Sequence, residues 1–475
     1  GKNLSPHNSE KKSEDVDHPT DLNETPFVVE LLSGTHGIRW ATFSSILSFD
    51  EIDVSTLALD LKVLVQIFTL ILIINSADRS NYTESITLKI TDWDLYESVS
   101  WELVKYLNVN ITPERLISIS LIQFRTLLNG FPGIIETGLR MLSSRVLIDK
   151  EEREKQQKLD REVQLKQNQA TPSGVVRLKK TFTKFEPSKL VTGGTVALFS
   201  CLARKTGFSV SEKNLVKLYA GAKAGFSIRS LELKIFKWQA PTIFIVSGKR
   251  LKKKTMETNK RYQQFSEEYP RYFRTFEDSK KLWQRDNDKI TYAVFIHQPW
   301  RASNKKNFGD TKTTILSISP RLDIFKSIPN SIHKGELIYF NNLGLGLGFG
   351  NEQPINKNGS KHYFPGDTLL TIEANLEFAI FRHISTPTSN TNRYFSTTEQ
   401  AQLRKEDYED RFLISDLEVW GIGSNKELDE QRRQWEWENK QAEARQSVNV
   451  RNMGEERAFL EMAGIIGNSG GGGSI

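Results

Sequence analysis

Between residues 242 and 423 the chain passes through nine short apolar stretches. They run from "TIFIVSG", "TYAVFIHQPW", "TTILSIS", "LDIFKSI" and "ELIYFNN", through a glycine-rich stretch, to "TLLTIEA", "LEFAIFRH" and "ISDLEVWGIG". Each is rich in β-branched and aromatic residues and is bounded by polar turns, the signature of a strand. Many short strands at short spacing predict an antiparallel sandwich. Helical periodicity lies mostly upstream, so the expected class is α+β.

The glycine-rich stretch "NNLGLGLGFGNEQP" places Gly344, Gly346, Gly348 and Gly350 at alternate positions. A dinucleotide fingerprint fails in both possible registers, because Phe349 or Asn351 stands where the third glycine belongs. No phosphate loop with its Lys-Ser/Thr ending is present, and Pro354 follows where a helix N-terminus would have to point at an anion. Period two instead puts Leu343, Leu345, Leu347 and Phe349 on one face and the glycines on the other. The expectation is a strand whose bare face is pressed against a neighbouring element.

Composition narrows the chemistry. A net charge of +7 over 475 residues permits an acidic partner without requiring one. One cysteine, Cys201, excludes internal disulfides and points to a reducing compartment. Flanked by Leu198, Phe199 and Leu202, it reads as a small core residue. The seven histidines have no metal-ligand spacing. The acidic loops opening with "DEIDVS" and "DWDLYE" lack the glycine at loop position 6 and the glutamate at position 12 that a calcium loop needs. No Ser-His-Asp grouping is recognisable, and Asp416 and Glu418 read as a solvated strand face. No cofactor and no metal are expected.

The longest apolar run, "LALDLKVLVQIFTLILII", is interrupted by Asp60, Lys62 and Gln66 and reads as a buried helix instead of a membrane span. The start "GKNLSP" has the Gly and Ser spacing of a myristoylation signal, but Lys2 and Pro6 depart from it.

Along the chain, residues 1–26 read as a disordered tail, 27–148 as a helical domain and 149–188 as a charged helix or linker. The strand-rich domain spans 189–424, with short helices expected at "GTVALFSCLARKTG" and "SEKNLVKLYAG" and a longer one at "SIRSLELKIFKW". A charged helix and a flexible glycine tail occupy 425–475.

Four blocks in order carry a family resemblance: "LYAGAKAGFSIRSLELKIFKWQAPTIFIVSG" (218–248), "YAVFIHQPW" (292–300), "IYFNNLGLGLGFG" (338–350) and "FLISDLEVWGIG" (412–423). Together they resemble the TLDc domain. With the helical half upstream and the helix behind, the chain is most similar to the fungal telomere-capping branch of that family. The resemblance implies an EF-hand-like, metal-free helical domain, then a TLDc antiparallel β-sandwich with flanking helices, then a C-terminal helix. Members of that branch usually begin further upstream with a myristoylated glycine, which implies a shortened chain here. The family's serine-rich turn leading to Cys-Thr-Phe is replaced by "GDTLLTIEANLEFAIFRH" and "ISTPTSNTNRYFSTTEQ", so contacts made through that turn do not carry over.

The resemblance further implies a non-enzymatic protein without a small-molecule substrate. It would bind the vacuolar proton-pumping ATPase at its soluble V1 sector, near the peripheral stalks, and influence assembly or disassembly. It would act in the cytoplasm and at the vacuole membrane, with membrane association indirect or through a lipid anchor on a longer N-terminus. Telomere capping and oxidation resistance are the family's other associations. Two residue groups are candidate contacts. Trp435 and Trp437, with Arg432 and Arg433, stand on a helix with little core of its own. Lys249, Arg250, Lys252, Lys253 and Lys254 precede a stretch containing Tyr262, Phe265, Tyr269, Tyr272, Phe273 and Phe276. That combination fits a nucleic acid, with cations on phosphates and rings on bases, or a nuclear address, or acidic lipids, or a solvated hairpin extension.

Overall fold

The computed structural model describes residues 58–77, 82–107, 111, 119–135, 185–202, 207, 209–269, 289–328, 335–385, 394–396 and 407–423, with scattered positions from 427 to 444. The expected tail at 1–26, residues 27–57 and 136–148 of the helical region, most of the charged stretch (149–184) and the end of the chain beyond 444 lie outside the described residues.

Four helices come first: α1 (Leu61–Ser76), α2 (Tyr82–Ile90), α3 (Trp93–Leu107) and α4 (Leu121–Gly130). Asp60 starts α1 by accepting the Val63 N–H at 3.1 Å, and Ser120 with Gln123 forms a capping box on α4. Just ahead of α1 and α4, the two-residue strands β1 (Ala58–Leu59) and β2 (Ile119–Ser120) pair antiparallel. This joins the entries of the two helices, as in paired helix–loop–helix units. The apolar run seen in the sequence is α1, whose Leu64, Val65, Phe68, Leu72 and Ile73 are buried. No helix among the described residues is long and apolar enough to cross a membrane.

Next come α5 (Gly193–Ser200), β3 (Leu215–Ala220), α6 (Gly221–Ala224), α7 (Ile228–Ile235) and β4 (Thr242–Arg250). Helices α8 (Lys253–Thr258) and α9 (Lys260–Glu268) follow, then β5 (Lys289–Ile296), β6 (Thr314–Ser319), β7 (Asp323–Lys326), β8 (Ile338–Asn341) and β9 (Gly346–Asn351). A small hairpin, β10 (Ile355–Lys357) and β11 (Ser360–His362), precedes β12 (Pro365–Ile372), β13 (Phe378–His383) and β14 (Tyr408–Ile422).

The large sheet is ordered β7-β6-β5-β4-β14-β13-β12-β9-β8, with β3 also on β14. Strand β14 holds it together. Its first half pairs with β13, and the rest pairs with β4 and β3. Register shifts between Ile414 and Asp416, and between Val419 and Trp420, mark irregularities along it. The sheet folds over on itself: Tyr292 of β5 stacks on Phe381 of β13 at 4.2 Å, and Phe244 of β4 meets Phe349 of β9 at 5.4 Å. Those strands are not hydrogen-bonded neighbours, so the rings meet between two layers. The antiparallel sandwich expected from the short strands is present.

Alternation then fills three cores. On β4, Phe244 and Val246 face the other layer, whereas Ile243 and Ile245 face outward, where the N-terminal helices cover them. There Phe199 of α5 meets Phe295 of β5 edge-on at 5.2 Å. Helices and sheet therefore share one apolar core. On the far side, Tyr262 and Phe265 of α9 and the following Tyr269 cover Leu369, Phe378 and Ile380.

Two local expectations are corrected. "SEKNLVKLYAG" contains a strand, β3, because the C-terminal part of β14 offers it a partner and Leu215, Leu218 and Tyr219 are buried there. The basic run does not extend a solvated hairpin. It leads into α8 and α9, which cover the second layer.

Candidate partner-binding surfaces

Helical backbone resumes behind the sandwich at Glu427, Asp429, Glu430, Arg433, Trp435, Glu436 and Trp437. Two residues along a helix is about 200° of rotation, so Trp435 and Trp437 point to nearly opposite sides. Trp435 is half-buried, whereas Trp437 is 58% exposed. Arg433 is exposed, and its Nε donates to the Asp429 carbonyl at 3.4 Å. Arg432 lies outside the described residues.

The basic run divides. Lys249, Lys252 and Lys254 are exposed, and the Lys253 side chain lies outside the described residues. Arg250 turns inward to pair with Asp410 at 2.8 Å, and Asp410 also accepts the Tyr292 hydroxyl at 3.0 Å. Tyr262, Phe265 and Tyr269 are almost wholly buried, so they are not presented for stacking on a base. Tyr272, Phe273 and Phe276 lie outside the described residues.

Beneath α9 sits a charged cluster that the sequence reading missed. Arg382 of β13 stands opposite Glu409 of β14 in register and donates to it at 2.7 Å, while Arg411 donates to the same carboxylate at 2.7 Å. Burial pushes the Glu409 carboxyl up, but the Arg411 and Arg382 guanidiniums outweigh it and hold it below the usual carboxylate range. The available signal was "YEDRF" beside "FRH", charges of opposite sign embedded in otherwise apolar strands.

Near the helices a cleft of about 580 Å³ opens, lined by Leu88, Lys89, Tyr96, Phe185, Gly193 and Glu212 among others. Lys89 closes on Glu212 at 2.6 Å and on the Tyr96 hydroxyl at 3.3 Å. This pair bridges α2 to the segment before β3. Cys201 is fully buried, its thiol pushed up to about 12 by burial. Among the described residues no group of three or more His, Cys, Asp or Glu side chains is placed to hold a metal ion.

The fold is that of a sandwich whose two layers share β14. The TLDc domain family matches residues 184–423. Restriction of telomere capping protein 5 from Scheffersomyces stipitis is 52% identical over 454 residues, 92% of this chain and 70% of that relative. The protein of the same name from Debaryomyces hansenii is 49% identical over 448 residues, again 92% of this chain and 70% of the relative. The one from Saccharomyces cerevisiae is 43% identical over 304 residues, 62% of this chain and 50% of the relative. The chain belongs to the TLDc-domain family, among the yeast proteins that carry this name.

Proposed function

We propose that this chain is a non-enzymatic adaptor that binds the soluble V1 sector of the vacuolar proton-pumping ATPase, near its peripheral stalks, and regulates assembly or disassembly of the pump. It acts in the cytoplasm and on the cytosolic face of the vacuole membrane. The TLDc domain supports this reading, and the observation that carries it is Trp437, an indole 58% exposed on a charged helix. Exposed tryptophans are frequent anchors of protein interfaces. The test is a pull-down of purified V1 by the full chain. Trp437→Ala, and the pair Trp435→Ala with Trp437→Ala, should weaken capture while leaving the melting temperature unchanged. A wild-type chain that fails to capture V1 sinks the proposal.

The relatives' name favours a second reading, a nucleic-acid role in telomere capping. With Tyr262, Phe265 and Tyr269 buried, it would rest on Lys249, Lys252 and Lys254. Phosphate-driven affinity falls steeply with salt, so a salt-titrated DNA-binding assay separates the two readings.

A further inference from the structure

One end of the sandwich carries apolar side chains that the fold does not use. Helix α7 turns Leu231 and Ile235 into the core but leaves Leu233 62% exposed. At the β8–β9 turn Leu343 is 74% exposed. These positions belong to one surface. Asn342 Nδ2 donates to both oxygens of Glu232 at 3.2 Å, and Asn304 Nδ2 donates to Asn342 Oδ1 at 2.9 Å. That chain fastens α7, the turn and the loop around Asn304 together. Phe236, which caps the C-terminus of α7, also meets Phe340 of β8 edge-on at 5.0 Å.

The turn is held in shape, since Asn341 Oδ1 accepts the Leu343 N–H at 2.9 Å and the Leu345 N–H at 3.4 Å. Leu343 is thus displayed by a fixed backbone. Cations stand on the same segments. Lys223, Arg229 and Lys234 are exposed on and ahead of α7, and Arg301 and Lys305 are exposed on the loop that carries Asn304. Glu232 stands among them with both carboxylate oxygens taken up by Asn342.

An apolar centre within a charged rim is the anatomy of a protein interface, and a basic rim selects an acidic partner. A lipid surface fits less well. The polar chain Glu232–Asn342–Asn304 links the segments that carry Leu233 and Leu343, so insertion into hydrocarbon would strip those groups of water without replacing their partners. It would also press a carboxylate against anionic headgroups. A protein partner can bond to the same amides.

We infer that this end of the sandwich, built by α7, the Asn342–Gly344 turn and the Asn304 loop, is the docking face for an acidic protein surface bearing apolar side chains. Resting on the reading above, that surface is on V1.

The experiment measures binding of the full chain to purified V1 at low and raised salt. Leu233→Ser with Leu343→Ser should lower affinity by about tenfold or more. Lys223→Glu with Arg229→Glu and Lys234→Glu should lower it further, most at low salt. Lys357→Glu, on the β10–β11 hairpin, should bind as wild type does. Because a triple reversal can disturb folding, a photo-crosslinking amino acid at Leu343 in an otherwise unchanged chain should label V1. Wild-type binding with undiminished variants, or no crosslink from Leu343, overturns the docking face and leaves the V1 reading standing. No wild-type binding overturns both. Variants that keep V1 affinity but lose binding to phosphatidylserine vesicles would assign the face to a membrane and overturn the inference.

Discussion

Tyr339 of β8 lies opposite Gly348 of β9, and its ring occupies the space where a side chain at 348 would begin. Tyr339 is fully buried, so the ring has nowhere to retreat. Gly348 thus lets an aromatic ring lie against bare backbone, with Leu347 and Phe349 of β9 turned to the inter-layer core. Gly348→Ala should destabilise the protein by about 1–3 kcal/mol or more, through overpacking. Gly344, by contrast, meets nothing within reach of a Cβ but has φ +100°, so Gly344→Ala should cost only about 1 kcal/mol, from backbone strain. Urea denaturation measures both. In a Tyr339→Leu background the cost at 348 should shrink, and an unchanged cost would locate the strain elsewhere.

How much of this was legible depends on whether a residue's environment lies in its own segment. The glycine strand was readable from Gly346 onward because alternation is local, but Leu343 and Gly344, expected on the same strand, lie in the β8–β9 turn, where Leu343 is exposed instead of facing the core. β3 was not readable as a strand, since "LVKLYA" gains its conformation from β14, roughly two hundred residues later in the chain. Nor was the inward turn of Tyr262, Phe265 and Tyr269, because their partners Phe378 and Ile380 follow more than a hundred residues later. Of the candidate contacts, the outward position of Trp437 follows from a charged helix lacking a local core. Arg250 looked like its lysine neighbours until Asp410 came beside it. The face around Leu233 and Leu343 is assembled from three separate segments, and no single stretch of sequence announces it.

Glu418 shows the same limit and gives a test. Alternation in "ISDLEVWG" put it with Asp416 on a solvated face. In the fold, register shifts flank this part of β14, and Phe185 and Ser188 lie against it. Glu418 is 3% exposed and accepts the Ser188 hydroxyl at 2.7 Å and the Trp420 indole N–H at 2.8 Å. Glu418→Ala strands the Trp420 donor in a buried setting and should cost about 1–3 kcal/mol. Limited proteolysis should also cut the segment around Ser188 sooner than in wild type. Unaltered stability and cleavage would show that the carboxylate does not pin that segment.

The Arg382–Glu409–Arg411 cluster predicts a pH dependence with a definite sign. The folded carboxyl titrates below its unfolded value of about 4.3, so its contribution is fully present above that pH and is lost as pH falls through the folded value. Glu409→Gln leaves two guanidiniums crowded without their counter-charge, and near neutral pH should cost about 3–5 kcal/mol. The gap between wild type and variant should narrow as pH drops below about 4, because protonation makes the wild type resemble the variant. Denaturant titrations across that range decide it, and a gap that widens on acidification would reverse the assignment.

Cys201 bears on whether the protein senses oxidants through its thiol. The side chain is fully buried behind α1, where Asn75 approaches it at 3.8 Å and the thiol donates to the Ala197 carbonyl at 3.3 Å. Burial pushes its pKa up to about 12, so at neutral pH the thiolate that reacts with peroxide is scarce as well as inaccessible. An aromatic disulfide reagent should leave the folded protein unmodified at neutral pH and label one thiol per chain in urea. Cys201→Ala should cost about 1 kcal/mol, the loss of a small packed group. Rapid labelling of the folded chain, or loss of peroxide resistance in cells carrying Cys201→Ala at normal protein abundance, would instead make this cysteine a working part of the protein.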